Sequence, residues 1–242
     1  MESMIKDALR LTNHPVAVLK TDEAPDNALS FKEGSRGCVI ALLVAASKGR
    51  TAVFSERTCG CPGGRVGLGF GSFEPGNIEY FLSTGGKGPR EGEFYKKSPE
   101  LARAFIEGLP RVAAKKYLIF KPLDEVRPDE SPEIVVFLVN PDQLSALITL
   151  ANYDQPTQDN VQIRFGSGCA QAILYALKDA EEGKRRCTLG LTDPSARKCL
   201  DKNTLSLSIP YRRFLELENQ AEESFLTKAT WNEIAQRLQD DI

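Results

Sequence analysis

Gly37-Cys38-Val39-Ile40-Ala41-Leu42-Leu43-Val44-Ala45-Ala46-Ser47 opens a device that the chain uses twice. An apolar helix starts at the Gly-Cys step and Gly49 stops it. Thr51-Ala52-Val53-Phe54-Ser55 then makes a short strand, and Pro62-Gly63-Gly64-Arg65 closes the unit. The second copy starts at Gly168-Cys169 and has a helix from Ala170 to Asp179. It continues with Gly183, the strand Cys187-Thr188-Leu189-Gly190-Leu191, and Pro194-Ser195-Ala196-Arg197. The two lead cysteines stand 131 residues apart and the two closing arginines 132. Such near-equal offsets predict two related halves with a thiol at a matching place in each.

Outward from these units, period and punctuation predict the remaining elements. Residues 2–11 read as a short helix and Val16 to Lys20 as a strand. Asn77 to Ser83 reads as a helical turn. Ser98-Pro99 starts a helix that Gly108 stops, since Pro suits the first helical position and Ser the cap before it. Tyr117 to Leu123 and Ile134 to Val139 read as strands, and Asn140 caps a helix reaching about Asn152. Val161 to Phe165 and Thr204 to Ile209 alternate as strands. From Tyr211 the chain is helical to its end, with Trp231 packing it to the body. Strands and helices interleave without a regular βαβ series, so the predicted class is α+β. The expected architecture is a mixed sheet with flanking helices, two pseudo-repeated lobes at about 12–123 and 133–210, and C-terminal helices over 211–242. All of it is read as one domain spanning 1–242, with Asp124 to Pro132 as the best hinge.

Composition narrows the function classes. The chain has 242 residues, 41% hydrophobic and 26% charged, with a formal net charge of −2. That is ordinary globular usage, with enough apolar mass for a sizeable core. Lys115-Lys116, Lys184-Arg185-Arg186 and Arg212-Arg213 are short and scattered, so no basic face for nucleic acid is expected. No apolar run approaches the roughly 18 residues a membrane span needs. The N-terminus lacks a basic-then-apolar layout, which predicts a cytoplasmic protein with no membrane partner. Six cysteines are too few for a disulfide scaffold, and in a reducing compartment grouped thiols lean toward metal or redox use.

Cys38 and Cys169 each fall in the first turn of a predicted helix. Free backbone N–H groups and the positive dipole end favour a negative sulfur there, as nucleophile or metal ligand. The competing reading is a small buried hydrophobe. Cys59-Gly60-Cys61-Pro62 begins a stretch with six glycines in thirteen residues, ending at Gly71, which predicts unusual backbone angles or close approach. A single His, His14, means that any protein-only tetrahedral site would be mostly thiolate. The expected metal quartet is Cys38, Cys61, Cys169 and Cys187, with Cys59 and Cys199 in reserve. The favoured cofactor is an iron–sulfur cluster, then zinc, and otherwise none. Arg65 and Arg197 read as clamps for an anionic ligand together with Gly63, Gly64 and Gly67, or as structural partners of Glu56 and Asp193. Gly67-Leu68-Gly69-Phe70-Gly71 lacks the preceding strand of a dinucleotide fingerprint. Thr84 to Gly92, with Lys87 and Arg90, reads as a connector or a lid.

Pro15-Val16-Ala17-Val18, the Gly-Cys step at 38, Cys61-Pro62 followed by Gly67-Leu68-Gly69, the Gly-Cys step at 169 and Ile209-Pro210 form an ordered set. In order and spacing it resembles the domain-of-unknown-function family 169 of bacteria and archaea, over roughly residues 10 to 215. The resemblance implies that Cys38, Cys61 and Cys169 are positions of interest, and it supplies no reaction. Cys59 and Cys199 lie outside its pattern.

Three functions compete. The first is a cysteine cluster that binds metal, with an iron–sulfur redox centre between the lobes and a redox partner. The second is a metal-free protein or enzyme for a small anionic molecule, built on the Gly-rich stretch and the paired arginines. The third is an assembly protein, a homo-oligomer included, that docks through Leu215, Leu217, Phe225, Leu226, Trp231, Ile234 and Leu238.

Overall fold

The computed structural model describes residues 2–73, 76–86 and 91–240. The chain divides into two compact units, one made of Met1–Phe70 with Val112–Ile242 and the other of Gly71–Arg111.

The larger unit is built on a seven-stranded mixed sheet in the order β2-β3-β1-β4-β7-β6-β5. The strands are β1 (Val16–Thr21), β2 (Ala52–Phe54), β3 (Tyr117–Pro122), β4 (Ile134–Val139), β5 (Val161–Ile163), β6 (Cys187–Gly190) and β7 (Leu205–Pro210). Neighbours run antiparallel except β5 and β6, which are parallel. The helices of this unit are α1 (Met4–Ala8), α2 (Val39–Ser47), α3 (Pro62–Gly67), α6 (Pro141–Asn152), α7 (Tyr175–Glu181), α8 (Pro194–Arg197), α9 (Tyr211–Ala221) and α10 (Ala229–Asp240). The mixed sheet, the flanking helices and the helical C-terminus agree with the sequence reading.

Both faces of the sheet are covered, which explains why β1 and β4 read as unbroken apolar runs. Strand alternation divides them cleanly. Val135, Phe137 and Val139 join one core with Leu147, Phe214, Leu217 and Trp231. Ile134, Val136 and Leu138 join the other with Val39, Leu43, Ala172 and Ile173. The first face carries the N- and C-terminal helices, and the second carries α2 and the helix that begins at Cys169. The stripes on α9 and α10 therefore pack inward: Leu217, Leu226, Trp231 and Leu238 are buried, while Leu215 is exposed. The Trp231 indole Nε1–H donates to the Ala8 carbonyl at 2.8 Å, which ties the last helix to the first.

A polar knot secures the same face. Arg213, 1% exposed, donates to both carboxylate oxygens of Asp154, to Glu216 and to the Ala151 carbonyl. Hydrogen bonding from Arg213, above all, holds the Asp154 carboxyl well below the usual carboxylate range.

The smaller unit holds α4 (Ile78–Leu82) and α5 (Pro99–Glu107). Its buried Glu79 accepts the Gly76 N–H at 3.0 Å and pairs with Arg103. The Ser83 hydroxyl donates to the Glu79 carbonyl at 2.6 Å. Lys87 and Arg90, in the stretch read as connector or lid, lie outside the described residues.

Candidate functional site

The two Gly-Cys units meet on the α2 face of the sheet. Cys38 caps α2 from an extended conformation, with no hydrogen bond from its side chain to the helix. The Gly-rich stretch, expected to have unusual backbone angles or a close approach, is in part helical: Pro62–Gly67 forms α3. Here Pro62 opens the helix, and the Cys61 sulfur accepts the Gly64 N–H at 3.3 Å in place of a Ser or Asp cap. Two of the three glycines in α3, Gly64 and Gly67, serve close packing. A Cβ on Gly67 would lie 2.4 Å from the Cys169 Cβ, and one on Gly64 would lie 2.7 Å from Val39 Cγ2. Only glycine lets this backbone rest against the start of the second helix.

That second helix is irregular. Residues Ala170–Leu174 wind as a π-helix before α7 continues. Asp193 holds its start. This carboxylate accepts the Gly168 N–H at 2.8 Å and also caps α8 through the Ser195 N–H at 3.0 Å. Gln171, 1% exposed, exchanges two hydrogen bonds with Thr192. Between them Leu191 is buried with φ 61°, a left-handed conformation that costs about 1–2 kcal/mol in a residue with a Cβ. Burial of its side chain and the flanking hydrogen bonds hold it there.

The six thiols are all free. Cys38, Cys59 and Cys61 come close enough to Cys169 to act on it electrostatically. Burial above all, then these three sulfurs and Asp193, pushes the Cys169 thiol well up. Burial likewise pushes Cys59 up to about 11, against the opposing effects of the Cys61 backbone and Arg65. Cys187 belongs elsewhere: its side chain sits in the core on the other face of the sheet, where burial pushes it up to about 12.

Among the described residues no group of three or more His, Cys, Asp or Glu side chains is placed to hold a metal ion. This overturns the expected cysteine-ligated metal or iron–sulfur protein, and the cysteine cluster with it. The quartet fails for a physical reason. The sheet separates Cys187 from Cys38, Cys61 and Cys169. His14 lies apart, with Nδ1 2.7 Å from the Asp124 carboxylate.

The two arginines do not form a matched clamp. Arg65 pairs with Glu56 at 3.5 Å, while its buried Nε has no hydrogen-bond partner. Arg197 donates to the carbonyls of Thr204, Lys202, Asp201 and Leu191, so its guanidinium fastens the segment after α8 rather than pairing with Asp193. Gly63, Gly64 and Gly67 belong to α3.

The segment that Arg197 fastens forms one wall of a cleft of about 260 Å³. Its apolar lining is Val44 of α2, Leu138 of β4, and Leu200. Lys48 at the end of α2, Lys198 and Asp201 line it as well. Neither lysine has an ion-pair partner among the described residues. Cys199 also lines the cleft. Its thiol is pushed up to about 11 by burial first and then by the neighbouring Cys38, with Lys198 acting in the opposite direction. Sequence reasoning missed Lys48 and Lys198 and demoted Cys199. The only local signal was their position, just past the end of the first helix and just past Pro194-Ser195-Ala196-Arg197.

No helix among the described residues is long and apolar enough to cross a membrane. No curated protein and no solved structure matches the chain. The family model DUF169, described as uncharacterised ArCR, matches residues 4–220. With most of the chain inside that match and its Gly-Cys units meeting on one face, the chain belongs to the DUF169 family.

Proposed function

We propose that this chain binds a small anionic molecule in the cleft beside α2, with no metal taking part. The observation that carries the reading is the pair of lysines, Lys48 and Lys198, that line one cleft together with Val44, Leu138 and Leu200. Two cations without carboxylate partners attract a carboxylate or phosphate, and the apolar floor accepts a short carbon skeleton. Asp201 has the opposite sign and favours a ligand with an amino or hydroxyl group beside its anionic end. At about 260 Å³ the cleft suits a molecule well below nucleotide size. Amino acids and hydroxy acids are the class that combines these features. Arg197 acts as a positioning residue, because it holds the wall that presents Lys198 and Asp201.

Thermal melting with a panel of amino and hydroxy acids, against their neutral amides, tests this. At a ligand concentration about 100-fold above Kd, binding adds about 2.7 kcal/mol. In a domain of this size that raises Tm by about 5–10 °C. The shift should survive a chelator and vanish in the double variant Lys48→Gln, Lys198→Gln. Equal shifts with the neutral amides, or an undiminished shift in that variant, would overturn the reading.

A further inference from the structure

We propose that His14 is a phosphoryl-acceptor site, taking a phosphoryl group on Nε2 from a small acyl phosphate. The proposal stands apart from the ligand reading, since it needs nothing bound in the cleft. A charged cluster holds the ring. Nδ1 lies 2.7 Å from Asp124 Oδ2, and Lys6 Nζ stands 3.4 Å from that same oxygen. A carboxylate only accepts, so the contact places the ring proton on Nδ1 and leaves the lone pair on Nε2. The backbone fixes both partners. The His14 N–H donates to the Ser47 carbonyl at 2.8 Å. The N–H of Leu123, next to Asp124, donates at 2.8 Å to the carbonyl of Pro15, next to His14. The side chain is 33% exposed, and Nε2 has no hydrogen-bond partner among the described residues. Gly49 lies on the Nε2 side: a Cβ there would stand 3.9 Å from that nitrogen, so glycine leaves this approach uncovered. Lys48 and Arg50 flank Gly49; both are exposed, and neither has an ion-pair partner among the described residues. Their positive field favours an electrophile that is itself an anion, which selects a phosphoryl donor over a neutral acyl donor.

The Nε2 lone pair attacks phosphorus and forms the N–P bond. The bond from phosphorus to the bridging oxygen breaks, and the carboxylate R–COO⁻ leaves with its electron pair. The ring passes through an imidazolium, whose charge Asp124 offsets through the Nδ1–H. That proton then goes to water and leaves a neutral ring carrying the phosphoryl group. Nothing is oxidised or reduced. Asp124 is a positioning residue here, because it acts only through the imidazole.

The full chain is incubated with acetyl phosphate at neutral pH, beside a sample unfolded in urea, and followed by intact mass and peptide mapping. The expected result is one added phosphoryl group on His14, stable in alkali and lost in acid. It should form at least about 10-fold faster in the folded chain than in urea, since only the fold supplies Asp124. Asp124→Asn should slow it by about 10–100-fold, and Asp124→Glu should recover part of the rate. His14 is the only histidine in the chain, so if those variants do not fold the wild-type comparison with urea decides. Phosphoryl groups confined to other residues, acetylated lysines beside an unmodified His14, or equal rates in the folded and unfolded chain would overturn the proposal.

Discussion

Adding one methyl group at either of two neighbouring glycines in α3 should change stability in opposite directions. Helix propensity alone favours Gly→Ala at both, by about 0.4–1 kcal/mol. At Gly63 the new Cβ would find nothing nearer than the Cys61 sulfur at 3.9 Å, so the gain should be kept. At Gly67 the new Cβ would lie 2.4 Å from the Cys169 Cβ and 3.0 Å from the Ala170 nitrogen. Neither neighbour is the far end of a flexible side chain, so α3 must move away from the second helix. Overpacking of this kind costs about 1–3 kcal/mol, and its rigid partners place Gly67 at the upper end. Less the propensity gain, Gly67→Ala should destabilise by about 2 kcal/mol. Tm should then fall by about 4–8 °C, and Gly63→Ala should raise it by about 1–4 °C. Calorimetry on the two variants and wild type measures both. A Gly67→Ala protein as stable as wild type would refute the close docking of α3 on Cys169.

Asp154→Asn should lower stability at neutral pH by about 1–3 kcal/mol, because Arg213 loses its main partner. The folded carboxyl is depressed, so its contribution is full above the unfolded value near ~3.9 and is lost as pH falls below it; urea midpoints in acid should converge for the two proteins. Native-state maleimide labelling should modify Cys38, Cys61 and Cys199 and spare Cys59, Cys169 and Cys187 until the protein unfolds; rapid labelling of Cys187 would contradict its place in the core. Trp231→Phe removes the hydrogen bond to Ala8 and part of a buried ring, and should cost about 1–3 kcal/mol in chemical denaturation.

The strands were legible because β1 and β4 are buried on both faces and leave long apolar runs. Caps at Ser98 and Asn140 were equally plain, since each puts a side-chain oxygen where free N–H groups need one. The helix over Pro62–Gly67 was hidden, because three glycines in six residues oppose helix on propensity, and only packing against Val39 and Cys169 explains Gly64 and Gly67. Assigning Cys187 to the metal quartet failed for a related reason. Alternation groups it with Leu189, but which face of the sheet that is depends on the order of strands from distant parts of the chain. Lys48 and Lys198 come to line one cleft only through tertiary folding, and neither carries a local pattern of its own.

The wide turn at Ala170–Leu174 already holds one residue more than an ordinary helical turn, at a smaller rotation per residue. Deleting one residue there would let the winding tighten to the ordinary pitch and leave the helix entrance facing nearly the same way. Adding another would find no slack, and the entrance would swing round by about 100°. Cys169 would then point away from Gly67, and the seat of α3 would be lost. Tolerance to a change of chain length at this point is therefore one-sided.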